Sequence, residues 1–408
     1  MTAFSLSRRL VTFTAVVALA LGLTATAQQK PAPASAGASA KVEGAQAGEL
    51  IVHIGTYTGP TSKGIYVTRL NTATGALTEP VLAADTPNPS FLALHPSRDL
   101  LYAVNEIGDY EGKRTGSVSA FAIDRKSGLL KPINRQSSGG GGPAHISADR
   151  KGAHVLVANY GGGSIAALPI APDGGLRPLQ TMTGFVQHTG SSVNPARQKE
   201  PHAHSIDLDP SGLRAYVADL GLDRILIYRF DASTGNLTPS DPPFATVEPG
   251  SGPRHVAFHP SGRFTYVINE IVLTVTAFAR DAASGALKTV QTISTLPEGV
   301  KAQPTYSTAE LTMHPSGRFL YGSNRGHDSI TAYSVDQTSG RLTFVQNEPT
   351  GGSTPRSFGI DPSGRWLLAA NQRSDSIVVF QIDQATGRIS PTGTRIAVGS
   401  PVCVTFLR

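Results

Sequence analysis

Residues able to hold anions and move protons stand at matched places along this sequence. In "GPRHVAFHPSGRFTYVINE", residues 252–270, Arg254 opens and Glu270 closes a stretch that otherwise reads as two apolar strands around a tight turn. In an antiparallel pair the residue before the first strand and the residue after the second lie side by side, at the end opposite the turn. Arg254 and Glu270 are therefore expected to meet, with Asn269 beside them. His204, in "EPHAHS", falls on the place equivalent to Arg254. Its imidazole, with an ordinary pKa near neutrality, is the most credible general acid or base in the set. Arginines next to it would hold an anionic group and stabilise a developing oxyanion.

For such residues to converge, the chain must bring distant segments to one place, and an internal repeat supplies the means. Six segments share one pattern, beginning at Pro89, Pro143, Ala203, Pro253, Thr308 and Pro355, and each puts Asn or Asp sixteen residues after its start. Every unit reads as a short alternating strand, a turn such as "HPSGR", then three further strands. Units of 47 to 60 residues with four strands each match propeller blades, and no segment sustains a helical apolar period. The C-terminal "SPVCVTF" matches the start of a unit, while "LIVHIGTYTG" and "GIYVTRLNTATGALT" match its later strands. Joined, the two ends make a seventh blade that removes the free sheet edges. The expected fold is an all-β, seven-bladed β-propeller over residues 49–408.

With the first two strands of each blade innermost, their ends ring one mouth of the central channel. The place of Arg254 is then taken by Ser90, Ala144, His204, Ala309 and Arg356 in the other units, and the place of Glu270 by Glu106, Tyr160, Leu220, Arg325 and Gln372. Turn residues repeat nearly unchanged while these two places vary and carry charge, the pattern expected of an asymmetric ligand site. His95, His259 and His314 share one slot before Pro-Ser, also filled by Asp209 and Asp361, and read as turn-stabilising. His202 and His204, at i and i+2, would share a strand face, yet no third clustered ligand accompanies them to make a metal site.

The composition excludes several other functions. Of 408 residues only 16% are charged, with 43 Gly and 29 Pro, so polarity lies in turns. Residues 1–27, with Arg8 and Arg9 before an apolar run and Ala25-Thr26-Ala27 after it, read as a secretory signal peptide, and 28–48 as a flexible Ala/Pro/Gly-rich leader. Cleavage would remove two arginines and no acid, taking the formal charge from +6 to +4. No basic block interleaved with aromatics marks a nucleic-acid surface, and no stable membrane association is expected once the signal peptide is cleaved. The single cysteine, Cys403, excludes an internal disulfide and reads as a buried thiol. "SSGGGGP", residues 137–143, lacks the helix that a phosphate loop needs after it.

Five stretches, "IGTYTG" (54–59), "GSSVNPARQKEPHAHS" (190–205), "GPRHVAFHPSGRFTYVINE" (252–270), "TAELTMHPSGRFLYGSNRGHDSI" (308–330) and "TPRSFGIDPSGRWLLAANQ" (354–372), resemble the seven-bladed propeller lactonase family, which includes bacterial 6-phosphogluconolactonases and the fungal carboxy-muconate cyclase. The resemblance spans nearly the whole chain beyond the leader. It implies hydrolysis of a small sugar-acid lactone with no metal or organic cofactor, and a catalytic set of His204, Glu270, Arg254 and Arg325. His202, Glu106, Asn269, Glu310 and Arg356 complete the expected substrate-binding set. A cycloisomerase acting on a muconate-type lactone, or an exported propeller that binds a ligand or partner protein without catalysis, are the alternatives. Because 6-phosphogluconolactone is made in the cytoplasm while this chain is expected to be exported to the periplasm or secreted, an unphosphorylated sugar lactone competes as substrate.

Overall fold

A computed structural model describes residues 48–180 and 184–407; the expected signal peptide and nearly all of the expected leader lie outside the described residues. Among the described residues, twenty-eight strands form seven antiparallel sheets of four. From the channel outwards, strand order follows chain order in blades 2 to 7. Blade 1 is the exception. Its innermost strand, Pro401–Phe406, pairs with Glu49–Thr56, so the C-terminal strand closes the sheet begun at the other end of the domain. The innermost strands of blades 2 to 7 are Leu92–Leu94, Pro143–Ala148, Ala203–Leu208, Pro253–Phe258, Ser307–Met313 and Pro355–Ile360, and consecutive ones touch around the channel.

Blades are held face to face by apolar side chains, because the second and third strands of each sheet are covered on both sides and read as nearly continuous apolar runs. Leu100–Asn105, His154–Asn159, Phe264–Asn269 and Trp366–Asn371 are buried at every residue. Seven apolar clusters fill the seven junctions; that between blades 5 and 6 joins Phe264, Tyr266 and Ile268 to Leu311, Leu320 and Tyr333. The hydroxyls of Tyr102, Tyr216, Tyr266 and Tyr321 each donate to a glycine carbonyl in the next blade, at Gly174, Gly285, Gly340 and Gly387, which removes the cost of burying a phenol.

The repeated Asn has the same inward logic. Asn105, Asn159, Asn324 and Asn371 are fully buried, and their amides donate to the segment arriving from the preceding blade, at Pro87, Ser138, Thr295 and Thr350. Asn269 instead ties its own blade, donating to Thr274 and Thr276, and is likewise fully buried. This corrects its placement among the substrate-binding residues: the side chain is directed into the sheet and away from the mouth.

Candidate active site

A local irregularity positions the charged residues. In blade 5 the pairing runs Pro253 to Asn269 and then His255 to Ile268, so Arg254 is the extra, unpaired residue of a β-bulge. The same shift leaves Ala144, His204 and Arg356 unpaired in blades 3, 4 and 7, and both Ala309 and Glu310 in blade 6. A bulge re-aims side chains that strict alternation would send to opposite faces. Arg254 and the adjacent His255 therefore both face the channel, and the residues that follow the ring place in five of the blades, Phe91, His145, His255, Glu310 and Ser357, touch one another as a second layer beneath the mouth.

At the mouth, both oxygens of Glu270 are taken by arginines. Arg197 Nη2 lies 2.6 Å from Oε1, while Arg254 Nε and Arg325 Nη2 lie 3.1 and 3.0 Å from Oε2. Burial opposes ionisation of this carboxyl, yet Arg325, Arg254 and Arg197 together hold it at about 2. Arg254 is itself fixed: Nη1 donates to the Ala309 carbonyl at 2.7 Å and to His255 Nε2 at 3.1 Å, and His255 Nδ1 donates to Glu310 Oε1 at 2.7 Å. Burial, with help from Arg325 and Arg356, brings the Arg254 guanidinium down to about 9.

His204 is buried, and its Nδ1 has no hydrogen-bond partner among the described residues. Burial first, then the nearby Arg254, His255 and Arg356, push its pKa well below the ordinary 6.5, so the ring is a neutral acceptor at physiological pH. It packs edge-on against Tyr160 and His255, with ring centres 5.3 and 5.2 Å apart. His202 lies just before the inner strand, stacked on Tyr160 at 4.6 Å, with Nδ1 3.0 Å from the Tyr160 carbonyl. The two histidines thus do not share a strand face, because His202 precedes the strand and His204 sits on the bulge. Among the described residues no group of three His, Cys, Asp or Glu has a metal-holding arrangement.

The remaining expected residues divide by depth. Glu106 accepts a 2.8 Å bond from the Tyr57 hydroxyl, and Arg356 lies over the Tyr57 ring at 5.3 Å with no hydrogen-bond or ion-pair partner among the described residues. Glu310 is one layer down, held by His255, the Leu311 amide and Ser357. A small enclosed cavity is lined by Ser90, Glu106, Arg254, His255, Glu310 and Arg356. A larger one, of about 630 Å³, opens at the turn end of the channel beside His95 and Cys403 and reaches Glu310 from below. Arg197, Arg254, Arg325, Arg356 and His204 do not line that larger opening. Burial pushes the Cys403 thiol up to about 12, which leaves it inert there.

Sequence reasoning missed Arg197, His255 and His145. Arg197 sits in the segment that stretches one period to 60 residues, where no repeat places it. His255 and His145 directly follow the ring place, and only the bulge, which sequence does not display, turns them inward.

The family model described as "Lactonase, 7-bladed beta-propeller" matches residues 51–406. This chain belongs to that lactonase family. A 6-phosphogluconolactonase of Bacillus subtilis (strain 168) is 36% identical over 358 residues, covering 88% of this chain and 98% of that protein. A protein of the same name from Formosa agariphila is 35% identical, covering 73% and 82%. Among solved structures, a periplasmic gluconolactonase of Pseudomonas aeruginosa superposes with a TM-score of 0.82 at 35% identity, covering 88% of this chain and 99% of that one. All three relatives align with most of the propeller of this family member, so the similarity is not confined to one blade.

Proposed function

We propose that this lactonase-family chain hydrolyses a small sugar-acid lactone at the arginine-rich mouth, by acid–base chemistry of its own side chains. The observation that carries the reading is the buried Glu270 carboxylate shared by Arg197, Arg254 and Arg325 beside a neutral His204. Four arginines, counting Arg356, face three carboxylates, Glu270 and Glu106 at the mouth and Glu310 one layer below, and the remaining positive charge suits a substrate bearing an anionic group.

In this reading His204 takes a proton from water as its oxygen bonds to the lactone carbonyl carbon. The carbonyl electron pair moves onto oxygen, where Arg254 and Arg325 stabilise it. Collapse of that oxyanion breaks the ring C–O bond, the protonated His204 returns the proton to the leaving alkoxide, and a hydroxy acid results. Glu270, held ionised at about 2, is too weak a base to share this work. Its part is to fix three guanidinium groups that would otherwise repel one another. Arg356, stacked on Tyr57 and without a hydrogen-bond or ion-pair partner among the described residues, takes the substrate's anionic group, and the Tyr57–Glu106 pair is placed to meet sugar hydroxyls.

Export of the chain, expected from residues 1–27, favours an unphosphorylated sugar-acid lactone whose anionic group is a carboxylate, while the periplasmic gluconolactonase named above makes neutral gluconolactone the comparison substrate. The test is acid release from a panel of phosphorylated and unphosphorylated sugar lactones by purified protein. Turnover above the spontaneous rate on at least one supports the reading. Wild-type protein indistinguishable from buffer on all of them, while still binding the hydroxy acids, leaves a ligand-binding propeller in its place.

A further inference from the structure

The stitch between successive blades takes one form at three junctions of the ring and a different one at the blade that carries His204. Directly after each outer strand comes a residue whose backbone N–H bonds a fixed carbonyl of its own blade: Thr86 to Lys63, Ser138 to Gly116, His188 to Gly163, Val247 to Asp223, Thr295 to Leu273, Thr350 to Asp328 and Val398 to Asp375. In three of these junctions that residue is Ser or Thr and its carbonyl receives the amide of the next blade's buried Asn, at Asn159, Asn324 and Asn371. Between blades 3 and 4 the pair is His188 and Asp219 instead. His188 Nδ1 lies 2.7 Å from Asp219 Oδ2, and both side chains are almost wholly withdrawn from solvent. His188 is stacked on Tyr228, and its Nε2 has no partner among the described residues.

A carboxylate at this place can do what an amide cannot, because both of its oxygens accept. While Oδ2 is held by His188, Oδ1 receives the backbone N–H of His202 at 2.8 Å and of Gly221 at 3.0 Å. Charge-assisted bonds of this kind are shorter and stronger than amide ones. The His202 amide is where the long inserted segment feeds into the inner strand, two residues before His204. From there contact is continuous: His202 stacks on Tyr160, whose hydroxyl receives Arg197, and Arg197 pairs with Glu270.

We infer that His188 and Asp219 are positioning residues for the reaction: a buried imidazole–carboxylate clasp that fixes the turn bearing His202 and His204, in place of the Ser/Thr–Asn stitch that merely joins blades at three other junctions. The inference rests on the lactonase reading, and the proton-transfer role stays with His204.

The decisive variant is the double exchange His188→Thr/Asp219→Asn, which installs the stitch used at three other junctions of the ring. The expected result is a melting temperature close to wild type with kcat still lowered about 10-fold or more, since misplacement of a catalytic group by an ångström is that costly. His188→Asn, which keeps an N–H donor near the position of Nδ1, is expected to recover much of the activity lost in His188→Thr. A double variant that regains wild-type kcat along with its melting temperature overturns the inference, as the clasp would then be only a stitch. Hydrogen exchange over residues 189–202 needs no turnover: faster exchange there in the double variant, with the blade 4 strands unchanged, supports the clasp, and unchanged protection refutes it. A wild-type protein silent on every lactone defeats the functional reading and leaves this second measurement to decide the clasp.

Discussion

His259 and His204 are both buried imidazoles, and they differ in what their ring nitrogens find. His259 Nδ1 is engaged by Ser261 within its own turn, and Nε2 meets the Gly317 carbonyl of the next blade at 3.0 Å. His314 repeats the arrangement with Ser316 and Gly364, and His95 reaches Gly152. The approach is close enough that a Cβ at Gly317, which also has φ +72°, would come within 2.7 Å of the His259 ring. His204 has Nδ1 unpartnered among the described residues, and arginines in place of carbonyl groups around it. A histidine in a repeating slot is satisfied by the neighbouring repeat; one in a slot that changes from blade to blade keeps capacity for a ligand.

The contrast breaks most readily at His204. Replacing it with Gln removes the proton acceptor while sacrificing no Nδ1 hydrogen bond, so kcat is expected to fall about 10²–10⁴-fold with the melting temperature nearly unmoved. Because burial and the neighbouring cations keep the ring neutral below its ordinary 6.5, the acid limb of the wild-type kcat/KM profile should lie below that pH. A limb at or above 6.5 would reassign the base.

Glu270→Gln should damage both properties. Loss of the shared carboxylate lets the guanidinium groups separate, lowering kcat/KM by about 10²–10³-fold, and it leaves buried positive charge uncompensated at a cost of roughly 3–5 kcal/mol in denaturant unfolding. The linkage has a definite sign. Glu270 has a depressed folded-state pKa, so its contribution is intact above the ordinary 4.5 and is lost as pH falls through about 2. The variant should therefore show a shallower loss of stability across that acid window. Equal slopes in the two proteins would count against the three-arginine pairing.

Arg356→Ala is expected to raise KM for an anionic lactone about 10-fold with little change in kcat, since a charge-assisted contact to the ground state is removed; a neutral lactone should show a much smaller effect. On the other side of the comparison, His259→Ala should cost about 1–2 kcal/mol of stability through its lost hydrogen bonds and leave kcat and KM as they were. Activity lost in step with the His204 variant would erase the distinction between the two slots.

Much of this was legible in the chain. The repeat gave the blade count and the joining of both termini, and alignment of the units gave the ring that holds Arg254, Glu270, His204, Arg325 and Arg356. What stayed hidden has physical reasons. Asn269 was drawn toward the mouth by sequence adjacency to Glu270, whereas the strand's alternation turns it into the sheet to bond Thr274 and Thr276. His255 lay in view next to Arg254 but would face away without the bulge. Arg197 belongs to the one segment outside the repeat, so nothing in the other blades could locate it. The His188–Asp219 pair was visible only as one Asp among five Asn, a difference that acquires meaning once the partner 31 residues upstream is seen to have changed with it.

The strand Pro401–Phe406 is the last of the propeller to leave the ribosome, yet it forms channel wall and covers the edge of Glu49–Thr56. Until those residues are available the ring stays a broken circle with an unpaired strand exposed to other chains. Quality control of the whole domain is thereby concentrated in its final residues: a chain lost to premature termination just upstream would carry every charged residue of the mouth and still be an aggregation hazard.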